Sequence, residues 1–180
     1  TLGNQWLEWL RELPDVKRAE AAGSLRRWQD TIGDLDFAVA SDNPARVVEA
    51  ILQHPDVVNV LGRGENKTSV ELKNGVALQI WIQPLENFGC LWQFTTGSKD
   101  HNVHLRELAQ RQGLSLSEQA LAREADGQRL SCETEEQIYK ALGLTWIPPE
   151  LREDRGEIEA VTNGDLPNLI QLEDIDRKSV

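Results

Sequence analysis

Gly23-Ser24-Leu25-Arg26-Arg27 and Gly33-Asp34-Leu35-Asp36-Phe37-Ala38-Val39-Ala40 are the two runs from which the fold follows. Residues 16–22 read as a short strand, and Gly23-Ser24 opens a polar helical turn through Leu25, Arg26 and Arg27. Residues 32–40 read as a second strand. Asp34 and Asp36 are two apart on it, so both side chains leave the same face. Adjacent carboxylates repel unless a cation lies between them, and oxygen ligands of this kind suit Mg²⁺. The glycine turn presents bare backbone N–H groups to an anion, Ser24 adds a hydroxyl donor, and Arg27 adds a planar fork. A phosphate cradle followed by a metal-binding strand points to metal-assisted phosphoryl transfer. Taken singly, an Asp-x-Asp is usually a solvated strand end and a Gly-Ser before a helix is usually a cap. The specificity lies in their combination.

Around these runs the pattern predicts an α/β (α+β) fold. Residues 5–13 carry Trp6, Trp9, Leu10 and Leu13 at helical spacing and stop at Pro14. Residues 43–54 form an amphipathic helix capped by Asp42 or Asn43, with Pro44 in its first turn. Residues 68–73 and 76–83 form a hairpin around Asn74-Gly75. Its apolar face is shared if Leu72 opposes Leu78, which sets Glu71 opposite Gln79. After Pro84 the spacing predicts helices over 85–94, 100–112 and 134–142, with a break at 95–98. Short strands are predicted over 114–130, around Asp126-Gly127. Residues 150–180 hold 9 acidic and 4 basic side chains and read as a poorly packed linker. The domains expected are 1–84, 85–155 and an acidic linker over 156–180.

Composition bounds the partners. The chain has 180 residues, 39% hydrophobic and 27% charged, with a net charge of -11. Residues 1–84 contribute -3 and residues 85–180 contribute -8. Affinity for DNA comes largely from neutralised phosphates, so this chain is expected to bind DNA weakly by itself. Methionine is absent and the sequence opens on Thr1, which suggests a piece of a longer protein. No apolar run reaches membrane-spanning length and no signal peptide is visible, so a cytoplasmic location and no membrane partner are expected. Cys90 and Cys132 lack metal-type spacing and read as reduced thiols. His101 and His104 stand three apart on a helix without a third ligand nearby and read as a polar helix face.

The Gly23–Arg27 run followed by Gly33–Asp36 resembles the nucleotidyltransferase signature of the family X DNA polymerases. Residues 94–106, Phe94-Thr95-Thr96-Gly97-Ser98 through Asn102 and Arg106, resemble the thumb motif of the same family, especially its bacterial branch. Pro148-Pro149-Glu150-Leu151-Arg152-Glu153 resembles the end of that thumb. The resemblance implies a nucleotidyltransferase palm with a small mixed sheet, followed by an α+β thumb. It implies two-metal transfer with Mg²⁺ (or Mn²⁺), a deoxynucleoside triphosphate, and gapped or primer-template DNA in repair. Position by position, Gly23, Ser24, Arg27 and Gly33 fall where the triphosphate is held. Asp34 and Asp36 match ligands of the catalytic metals. Phe94 matches the aromatic under the sugar and Gly97 the adjoining turn. Asn102 matches a residue reaching the base edge, and Arg106 one contacting the template. Leu169 to Ile175 resembles the lead-in to a PHP domain, but the expected Gly-Asp-Leu-His-x-His does not follow.

The departure lies in Leu78-Gln79-Ile80-Trp81-Ile82, where the family places a third carboxylate. Gln79 stands for that aspartate and cannot usefully accept a proton. Three explanations are open: a degenerate site, rescue by Glu71, or an engineered substitution. Trp28 and Trp81 also replace small and basic residues, which suggests a reshaped site. A catalytically inactive nucleotide-binding or scaffold module is the alternative function. A minimal nucleotidyltransferase acting on another hydroxyl would leave the 94–106 motif unexplained.

Overall fold

A computed structural model describes residues 1–29 and 33–162. Helix α1 (Leu2–Glu12) is capped by the Thr1 side chain and buries Trp6 and Leu10. Strand β1 (Arg18–Ala22) leads into the single turn α2 (Gly23–Arg26), and β2 (Asp34–Ala40) follows. Helix α3 (Pro44–Leu52) starts at Asn43, whose side chain accepts from the Arg46 N–H, with Pro44 in the first turn. Three strands come next: β3 (Val57–Arg63), β4 (Lys67–Leu72) and β5 (Ala77–Gln83). They complete a mixed five-stranded sheet of order β1-β2-β5-β4-β3, in which only the β2–β5 pair is parallel.

The period-2 pattern of the strands divides the two faces. Leu35, Phe37 and Val39 of β2 join Leu78, Ile80 and Ile82 of β5 and Val70 and Leu72 of β4. This face packs on Trp6 and Leu10 of α1 and on Val47, Val48 and Ile51 of α3. On the other face a helix covers the far end of β2. There Ala38 and Ala40 meet Phe88 and Leu91 of α4 (Phe88–Thr96). The small alanines let the helix lie close to the sheet. Toward the start of β2 the same face stays polar, with Asp34, Asp36 and Gln79, and this polar end is where the site forms.

A second core holds the remainder. It joins α5 (Lys99–Arg111), the three-stranded sheet of β6 (Leu114–Leu116), β7 (Leu121–Arg123) and β8 (Arg129–Leu130), α6 (Glu135–Ala141) and α7 (Glu157–Thr162). Helix α6 opens on a full capping box, Thr134 with Gln137. Gly89 is required where α4 meets this core, because a Cβ there would collide with the backbone of Thr134 and Cys132. Cys90 and Cys132, distant in sequence, adjoin here: the Cys90 N–H donates to the Cys132 carbonyl at 3.2 Å, and both cysteines are free and buried.

Three expectations need correction, and one strand lies outside them. The edge strand β3 was not anticipated: Val57, Val58, Val60 and Leu61 lack alternation, and this strand is largely exposed. The hairpin register is displaced by two residues. It closes on Leu72 and Val76, so Val70 opposes Leu78, Ser69 opposes Gln79, and Glu71 opposes Ala77. Residues 150–162 are not poorly packed: Arg152 is fully buried, and Ile158 and Val161 belong to the second core. His101 is no polar surface residue. It is fully buried, with Nδ1 2.6 Å from Glu157 and Nε2 2.9 Å from the Tyr139 hydroxyl. The proposed PHP lead-in at 169–175 lies outside the described residues.

Candidate active site

The glycine turn and the carboxylate strand converge. Ala22 is the register partner of Asp36, so the chain leaves β1 directly beside that carboxylate. At Gly23 it turns with φ +59, and a Cβ would collide with the Asp36 side chain. Glycine is needed here for the dihedral and for the close approach. Replacing Gly23 by alanine is expected to cost more than about 1 kcal/mol and to displace the Asp36 carboxylate. Urea unfolding of the variant measures the first effect, and loss of nucleotide affinity the second.

Gly23, Ser24, Arg27 and Asp36 line one open cleft of about 530 Å³ together with Phe94, Gly97, Asn102 and Arg106. Lys99, Thr95 and Thr96 complete it. Asp34 and Gly33 are exposed at the start of β2, and Asp34 shares the Asp36 face. Burial first, and the Asp34 charge second, push the Asp36 carboxyl above its ordinary range, while Lys67 and Arg27 oppose the shift. Gln79 is the register neighbour of Asp36 on β5, so its side chain leaves the sheet on the same face. Glu71 bonds Asn59 of the edge strand at 3.3 Å, and its cross-strand partner is Ala77. The register that would have set Glu71 against Gln79 is absent.

Several of the expected residues are engaged within the protein. Asn102 is buried; its Oδ1 accepts from Gln93 at 2.7 Å and its Nδ2 donates to the Phe94 carbonyl at 2.8 Å. Arg27 donates through Nε to Glu153 at 2.7 Å and through Nη1 to the Thr96 carbonyl at 2.5 Å. Phe94 meets Trp81 edge to face at 5.5 Å, and the Lys67 ammonium lies 4.0 Å from the Trp81 ring centre. Trp81 thus packs against Phe94, which lines the cleft. Trp28 instead stands 68% exposed at φ 58.

Sequence reasoning missed the anchor of the α2 turn. The Arg26 fork donates both Nη atoms to Glu135 at 2.7 Å, and Nη1 also donates to Thr96 Oγ1 at 2.8 Å. Its guanidinium lies 3.5 Å from the Trp92 ring centre. Arg152 grips the same carboxylate at 2.8 and 3.1 Å, and Trp146 Nε1 donates to it at 3.1 Å. Burial alone would raise the Glu135 pKa; the Arg152 and Arg26 charges outweigh it and hold the carboxyl at about 2. The triad fastens the α2 turn to α6 and to the end of the second core. Glu135 follows an N-cap threonine and reads locally as a solvated first-turn acid, so no local signal marks it.

Known proteins match this chain. The family described as DNA polymerase beta thumb matches residues 91–153, which include Phe94, Gly97, Asn102 and Arg106. A DNA polymerase/3'-5' exonuclease, PolX of Bacillus subtilis (strain 168), is 35% identical over 169 residues, covering 92% of this chain and 29% of the relative. The chain belongs to the family X DNA polymerases. A second relative, DNA polymerase lambda of Rattus norvegicus, is 27% identical over 161 residues, covering 74% of this chain and 28% of its own length. This family X chain therefore spans less than a third of either relative. The mixed sheet and its helices agree with the nucleotidyltransferase architecture expected from sequence. Among the described residues no helix is long and apolar enough to cross a membrane.

Proposed function

We propose that this chain is the nucleotide-binding palm and thumb of a repair polymerase. It would take a deoxynucleoside triphosphate and, within the whole protein, gapped or primer-template DNA, with transfer impaired by Gln79. One observation carries this reading: the Gly23 turn lies against the Asp36 carboxylate in a single cleft that also holds Ser24, Arg27 and Phe94. Anion donors and cation ligands are thus adjacent, as metal-assisted phosphoryl transfer requires.

The donor set suits a hard divalent cation. Two carboxylates share one face, the Asp36 carboxyl is disfavoured as an anion without a cation, and Gln79 offers a neutral oxygen beside it. Asp34 and Asp36 would hold Mg²⁺ (or Mn²⁺). When bound, the ion would offset charge on the phosphates and orient the attacking hydroxyl. Gly23 N–H and Ser24 Oγ would orient the phosphates and Arg27 would bind their charge. Phe94, braced by Trp81, would exclude water from the sugar side. Gln79 accepts no proton, so the base expected at that position is missing. A cytoplasmic repair role and weak DNA binding by the isolated chain, from its charge of -11, belong to the same proposal.

Calorimetric titration with dATP tests the reading. Binding is expected in the presence of Mg²⁺ and is expected to weaken at least tenfold, about 1.4 kcal/mol, in Asp36→Asn. Nucleotide binding indifferent to Mg²⁺ and to Asp36 would refute it. The second reading, a nucleotide-binding or scaffold module without catalysis, is favoured by Gln79 itself and is separated by primer extension.

A further inference from the structure

We propose that Glu153 sets the affinity of the nucleotide cleft: its carboxylate occupies the Arg27 guanidinium and competes for it with the phosphates of a nucleoside triphosphate. This rests on the nucleotide reading above and adds a regulator to it. The Glu153 carboxylate comes from the far end of the second core, 126 residues along the chain, and reaches Arg27 Nε at 2.7 Å. The same Oε1 also accepts from Gln29 Nε2 at 2.9 Å. Both partners are largely shielded, with side chains 15% and 21% exposed.

The geometry of the fork makes this competition rather than support. A guanidinium offers two edges for bidentate binding, Nε with Nη2 and Nη1 with Nη2. Glu153 takes a donor from the first edge and the Thr96 carbonyl takes one from the second. A phosphate that seeks a full edge must therefore displace one of them. The carboxylate is the displaceable partner, since it is a side chain that can swing away, whereas the carbonyl belongs to the last turn of α4. A triphosphate brings more charge than one carboxylate and is also drawn by Lys99 and Arg106, which line the same cleft. Asp36 is the opposing anion within it. The apparent affinity is the intrinsic one reduced by the fraction of molecules in which Arg27 is free.

The test is titration of the chain with dATP and Mg²⁺, repeated with inorganic triphosphate, in wild type, Glu153→Gln, Glu150→Gln, Arg27→Ala and the Arg27→Ala/Glu153→Gln pair. Glu153→Gln is expected to bind both ligands about fivefold more tightly, the size of an ion pair worth about 1 kcal/mol. Glu150 is exposed and removes the same charge nearby, so Glu150→Gln is expected to leave affinity unchanged. Without Arg27 the Glu153 substitution is expected to have no effect. Unchanged or weaker binding by Glu153→Gln, or an equal gain in Glu150→Gln, overturns the competition while leaving the nucleotide reading intact. Absence of dATP binding in every variant overturns both. Should Glu153→Gln fail to fold by circular dichroism, Glu153→Asp, shorter by one methylene, decides: tighter binding supports competition, and any other result overturns it.

Discussion

Primer extension by the protein carrying this chain is expected to rise at least about tenfold when Gln79 is replaced by aspartate. Gln79 and Asp36 are register partners on the parallel pair β5–β2, and both side chains leave the same face. Aspartate at residue 79 would therefore complete a set of three carboxylates with Asp34 and Asp36, without moving the backbone. Changes one shell away from a metal cost about 10–100-fold, and a ligand should count for at least as much. On the proposed reading the gain should fall mainly on kcat, because the new carboxylate would act on the hydroxyl and not on the nucleotide. Robust extension by the wild type, with no gain in Gln79→Asp, would show that the carboxamide suffices. Rescue by Glu71 is not expected. Its partners are Ala77 and Asn59, so Glu71→Gln should leave any residual extension unchanged.

Glu135→Gln should cost about 3–5 kcal/mol of stability, since it leaves two guanidinium groups without a counter-charge in a shielded place. Arg152 is fully buried and the Arg26 side chain is 11% exposed. A midpoint shift in urea with an unchanged slope measures the loss. The pH dependence follows from the depressed carboxyl. Its folded pKa of about 2 lies below the ordinary 4.5, so the folded state binds fewer protons than the unfolded chain between these values. The stabilisation is complete above about 4.5 and is lost as pH falls toward 2. Wild type should thus lose stability steeply over this window, and Glu135→Gln should be flatter there. Equal acid slopes in the two proteins would remove Glu135 as the source. Because Arg26 and Arg27 are neighbours, the variant should also loosen the α2 turn, and on the proposed reading nucleotide affinity should fall with stability.

Much of the site was legible locally. Period-2 alternation in β2 and β5 puts Asp34, Asp36 and Gln79 on one face whatever the partner strands are. Gly23 was recognisable as a special backbone position, although its second constraint, the nearness of Asp36, belongs to the fold. The 94–106 run identified the second half of the cleft. The hairpin illustrates the limit. Shifting its register by two residues leaves every side chain on the same face, so Leu72 or Val70 serves equally well opposite Leu78 by pattern alone. The loop chemistry of Lys73-Asn74-Gly75 and the packing of the whole sheet choose between them, and that choice moves Glu71 away from Gln79.

Local spacing therefore settles β2 and the hairpin strands, the carboxylate face and the glycine turn, while the motifs carry the family resemblance; the edge strand β3 and the hairpin register escape it. Folding alone decides what the charged groups do. Arg26 meets Glu135 across 109 residues, Arg27 meets Glu153 across 126, and Arg152 becomes buried although its neighbourhood is acidic and polar. The physical reason is range. Backbone periodicity is written within a few residues, whereas an ion pair forms between whichever opposite charges the packed core brings together, and burial of the surrounding apolar surface fixes which those are.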